Sequence, residues 1–74
     1  MAQYFNSLNT HQQALAAEYM WQYLQAQNAV PVGTSRDAIL HAMVGLNTVV
    51  QTEGTFVVFS AEDQCRVLAA LPKK

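Results

Sequence analysis

The sequence predicts a mainly α fold, a small three-helix domain with a short extended segment, residues 55–59, between helices 2 and 3. Three observations carry this expectation. Each of three long stretches opens on a residue able to cap a helix. Proline and glycine separate those stretches, at Pro31 to Gly33 and again at Gly54. Between Gly54 and Ser60 stands "FVVF", Phe56 to Phe59, which is β-branched and aromatic and too short for a helix of its own. The 74 residues make one domain, 1–74, of a size that buries only roughly 60% of the surface its unfolded chain exposes.

Helix 1 is expected over about residues 11–28. Thr10 followed by Gln13 has capping-box spacing, the hydroxyl accepting a first-turn amide while the Gln side chain reaches back. The stretch "HQQALAAEYMWQYLQAQN" then runs without Gly or Pro. On a wheel of about 100° per residue, His11, Glu18, Gln22 and Gln25 form one narrow polar stripe, and Leu15, Ala17, Tyr19, Met20, Trp21, Tyr23 and Leu24 fill most of the rest. Such a helix needs neighbours on more than one side. In "AVPVGTS", Pro31 pushes Val30 toward an extended conformation and Gly33 permits a turn, which ends it.

Helix 2 is expected over about 36–52. Thr34 or Ser35 caps it, Asp37 sits in the first turn where the dipole favours an anion, and Gly54 supplies a left-handed stop. Ala38, Ile39, Ala42, Met43, Leu46, Val49 and Val50 make a broad apolar face, widened by Leu40 and Val44, while Asp37, His41, Thr48 and Thr52 make the wet edge. Helix 3, about 61–71, is capped by Ser60, gathers Ala61, Gln64, Val67, Leu68 and Leu71 on one face, and carries Glu62 and Arg66 as an i,i+4 pair before Pro72.

"FVVF" admits three readings. Phe56 and Phe59 plug the open end of the helical bundle with Val57 and Val58 beneath them. Alternatively the segment adds to a sheet edge of a second chain or partner. The third is a backward extension of helix 3 by one turn. A mate within the chain is hard to find, since "AVPV", Ala29 to Val32, loses a ladder donor at Pro31.

Apolar residues are 51% of the chain and charged ones 12%, about half the usual charged share of roughly 25%. Two over-apolar helices and one ordinary one exceed what a three-helix monomer can cover, so a homodimer is expected. The net charge is −1, with Arg36, Arg66, Lys73 and Lys74 as the fixed cations. Nucleic acid is a poor fit to so few, because phosphate neutralisation supplies much of that affinity. A helix-turn-helix also wants a tighter turn than the "GTFVVF" connection between helices 2 and 3.

One cysteine, Cys65, excludes an intrachain disulfide and fits a reducing compartment. The start "MAQYFNSLNT" has no basic or apolar signal region and no run is long enough to span a bilayer, so a cytoplasmic protein without membrane attachment is expected. Cys65 with His41 and Asp63 forms no diagnostic nucleophilic set. His11, His41 and Cys65 lack paired zinc-ligand spacing. "VGTSRD" could hold an anion at a helix start, but it has no phosphate-loop lysine and Asp37 repels the same anion, so ordinary capping is the expectation. His41 and Asp37 suit a local ion pair. No catalytic residue, cofactor or metal is therefore expected.

The class left by these exclusions is a non-catalytic regulatory or accessory protein, of the bacterial, phage or plasmid kind, that works by binding another protein. Its candidate interaction surface is Tyr19, Trp21 and Tyr23 on helix 1 together with Phe56, Val58 and Phe59, because aromatic side chains dominate binding hot spots. The alternative is a small DNA-binding transcriptional regulator in which a dimer gathers Lys73 and Lys74 from two chains.

Overall fold

Asn47 decides the architecture. In the computed structural model, which describes residues 2–31, 33–53 and 56–71, Asn47 stands in the left-handed region at φ 51°, ψ 52°, and its amide donates to the Met43 carbonyl at 2.8 Å. That conformation closes a helix, and asparagine tolerates it better than most residues. Directly after it come Thr48, Val49 and Val50, three β-branched residues that lose rotamer freedom in a helix and fit a pleated strand.

The expected helix over 36–52 is therefore two elements. Helix α2 is Arg36–Leu46, and Val49–Glu53 is a strand. Val49 and Val50 satisfied the helical wheel by position alone. The domain is mainly helical with a small sheet rather than a three-helix bundle. In chain order it runs β1 (Ala2–Tyr4), a 3-10 turn (Phe5–Ser7), α1 (Thr10–Ala26), α2, β2 (Val49–Glu53), β3 (Phe56–Val58) and α3 (Ala61–Ala70).

The sheet is antiparallel in the order β1-β2-β3. Gln3 lies opposite Val50, and Thr52 opposite Val57. "FVVF" thus has a mate after all, β2, and "AVPV" is not it. Directly opposed residues share a face, so Val50 and Val57 point to the core side while Ala2, Tyr4, Val49, Gln51 and Val58 line the outer side.

The helix starts differ little from expectation. Asn9, one residue before the expected cap, forms the capping box of α1, accepting from Gln12 N–H at 2.8 Å while its own N–H donates to Gln12 Oε1 at 3.4 Å. Gln13 is then available to donate to the Phe5 carbonyl at 3.2 Å. Ser35 caps α2 through the Ala38 amide, and Ser60 caps α3 through the Asp63 amide. Helix α1 ends at Ala26, with Asn28 left-handed at φ 54° and Ala29 N–H returning to Leu24 O. The Gly54 stop and the tail Pro72, Lys73 and Lys74 lie outside the described residues.

The core sits between the helices and the inner side of the sheet. Ala16, Ala17, Met20 and Leu24 of α1 meet Ile39 and Met43 of α2, Val50 of β2, and Phe59, Val67 and Leu71, all buried. Phe5 joins them with no exposed surface. Burying a side chain of that size contributes on the order of 2 kcal/mol, so the segment that begins with β1 is anchored in the core.

Candidate functional site

Most of the aromatic residues expected at a surface are occupied inside the fold. Trp21 is half-buried and its indole N–H donates to the Thr34 carbonyl at 2.9 Å, tying α1 to the loop before α2. Tyr19 is half-buried against the core. The Tyr23 hydroxyl donates to the Val57 carbonyl at 2.7 Å, and its ring meets Phe59 edge-on, centroids 6.0 Å apart. Phe59 is 5% exposed, so of its readings the core one describes it. Val58 stays on the outer side of the sheet, half-buried. The side chain of Phe56 lies outside the described residues.

The two edges of the sheet are treated differently, and hydrogen-bond alternation identifies which groups each presents. Phe5 N–H donates to Thr48 O at 2.8 Å, so Phe5 and Thr48 are a hydrogen-bonded pair. In an antiparallel ladder such pairs alternate. Gln3 and Val50 are then the next bonded pair, and the N–H and C=O of Ala2 and Tyr4 point away from β2. The same alternation turns the backbone of Val57 away from β2 on the far side of the sheet. There Tyr23 of α1 occupies the Val57 carbonyl. Ala2, Gln3 and Tyr4 are all exposed, and no described residue bonds to the outer side of β1.

Apolar surface accompanies the open edge. Tyr4 is 58% exposed, Val44 42% and Leu46 40%. Asn6, just beyond β1, donates from its backbone to Asn47 Oδ1 at 3.0 Å and from Nδ2 to the Val44 carbonyl at 3.2 Å. The last turn of α2, carrying Val44 and Leu46, is thereby held beside the end of β1. Sequence reasoning missed this region because "AQYF" is too short a run to identify a strand. The signal available was Phe5, a large apolar residue ahead of the Asn9 cap that a core had to accommodate.

The remaining polar groups are mostly committed. Arg36 pairs with Glu18 at 3.7 Å, and Arg66 pairs with Glu62, as expected, and with Asp63. In "VGTSRD" the Thr34 hydroxyl donates to Pro31 O and Ser35 accepts from Ala38, so both hydroxyls serve the chain itself. His41 and Asp37 share an open groove of about 390 Å³ with Ala38, Ala42 and Ala70, and no ion pair joins them. Cys65 is exposed on α3. Among the described residues, no three of His, Cys, Asp and Glu gather as metal ligands, and no helix is long and apolar enough to cross a membrane. No family model, curated protein or solved structure matches the chain.

Proposed function

We propose that the chain is a small non-catalytic regulatory or accessory protein that acts by protein–protein binding, and that β1 is where it binds. The observation that carries this is the contrast between the sheet edges. Tyr23 occupies the outward carbonyl of β3 at Val57, whereas β1 presents the outward amide and carbonyl groups of Ala2 and Tyr4 with no described residue across from them. An uncovered edge is a template for another strand, main-chain bonds supplying affinity and the neighbouring side chains specificity. Exposed Tyr4, and exposed Val44 and Leu46 at the end of α2, supply apolar surface of the right kind. Val58, from the surface expected on sequence grounds, contributes through the outer side of the sheet; Tyr19, Trp21, Tyr23 and Phe59 act as scaffold.

A DNA-binding role has less to draw on. Both described arginines are in ion pairs, and the exposed positions of α2 include Asp37, His41 and Val44 but one cation, Arg36. The test is a photo-crosslinking residue placed at Tyr4, with Gln25 on the exposed side of α1 as control, in cells of the organism that makes the protein. A discrete protein adduct through position 4 that is missing through position 25 is expected. No adduct, or equal adducts at both positions, removes β1 as the binding edge.

A further inference from the structure

Resting on the reading of β1 as the binding edge, we infer that its occupant is β1 of a second copy, paired antiparallel about a two-fold axis at Gln3. The backbone parity is self-complementary. Ala2 and Tyr4 carry the outward groups and lie symmetrically about Gln3. Placing Ala2 opposite Tyr4 of the second copy, and Tyr4 opposite its Ala2, makes two bonded pairs and four main-chain hydrogen bonds. No outward group of β1 is then left over.

The side chains agree with that register. Ala2 and Tyr4 share the outer side of the sheet, so each tyrosine ring of the dimer lies beside a methyl group small enough to admit it. Gln3 meets Gln3, and an amide both donates and accepts. Edge strands that must stay single carry lysine, other charges or proline. Residues 2–8, "AQYFNSL", contain none of these.

Area and closure also favour a second copy. A ladder of three residues is small against the about 1,200–2,000 Å² that a stable interface buries. Tyr4, with Val44 and Leu46 held beside β1 by Asn6, supplies apolar surface to add to it. Tyr23 occupies the outward carbonyl of β3, and a two-fold pairing through β1 uses the same edge on both chains, so association through it stops at two.

The experiment combines a register probe with a backbone probe on the full chain. In a Cys65→Ser background, Gln3→Cys places the new thiols at a non-bonded cross-strand pair, whose Cα atoms stand about 4.5 Å apart, inside the disulfide range of about 4.4–6.8 Å. Air oxidation is expected to convert most of this variant to a covalent dimer, and little of a Gln25→Cys control. Tyr4→Pro removes only an outward amide, and the φ of −74° at Tyr4 already suits proline. It is expected to weaken the dimer on the order of tenfold or more relative to Tyr4→Val, which keeps the amide, with the far-ultraviolet circular dichroism of the fold retained.

Wild-type protein that remains monomeric at millimolar concentration in sedimentation equilibrium overturns the inference. So does a Gln3→Cys variant that oxidises no faster than the control. If position 4 crosslinks to a different protein while the chain is monomeric, β1 remains the binding edge and self-pairing fails. If neither occurs, both fail.

Discussion

Thr48 stands at the junction of α2 and β2 with 4% of its surface exposed, and its hydroxyl has no hydrogen-bond partner among the described residues. Leaving a polar group buried and unsatisfied costs about 1–3 kcal/mol, while an apolar replacement of similar shape avoids that cost. Thr48→Val is therefore expected to raise the free energy of unfolding by about 1 kcal/mol, read from the urea midpoint at unchanged slope. A lower midpoint would show that the hydroxyl is bonded after all. Sequence placed Thr48 on a wet edge because it was counted on a helix. Single residues with a local role were more legible: Ser35 and Ser60 cap where their side-chain chemistry says they should. Trp21 and Tyr23 were not, because a half-buried aromatic with a polar tip looks the same in a sequence whether its donor meets a partner protein or a carbonyl of its own chain.

At the scale of elements, α1 and α3 were readable and the second half of helix 2 was not. Long periodic runs bounded by caps specify a helix locally. "TVVQTE" is different, since its two valines suit either period and only pairing with β1 and β3 makes it a strand. The switch is Asn47, whose left-handed conformation and side-chain bond to Asn6 are both visible in the fold. Asn47→Gly is expected to keep the turn and lose the Asn6 bond, costing on the order of 1 kcal/mol. Asn47→Ala adds the left-handed penalty of about 1–2 kcal/mol. Chemical denaturation should rank wild type above Gly above Ala; an Ala variant as stable as Gly would mean that α2 continues past residue 47. The proposed binding edge was hidden for a related reason: β1 has three residues, and nothing short of the β2 register distinguishes it from an irregular segment.

For the whole molecule, the difference between its two sheet edges carries the proposed mode of assembly. Tyr23→Phe deletes the hydroxyl that occupies Val57 O while keeping the ring against Phe59. The expected loss is about 1 kcal/mol of stability, together with the appearance of species larger than the wild-type assembly on size exclusion with light scattering. An unchanged elution profile would show that the bulk of α1, and not the hydroxyl, guards β3. Phe5 adds a consequence of another kind. It comes directly after β1 and is wholly buried, so any ligand of the β1 edge selects molecules whose Phe5 is seated and whose core is closed. Occupancy and heat resistance become linked quantities: each tenfold rise in ligand concentration well above the dissociation constant adds about 1.4 kcal/mol to the native state. A ligand seated on the β1 edge, as proposed, would thus raise the melting temperature as its concentration rises, and a self-paired form would lose that increment on dilution.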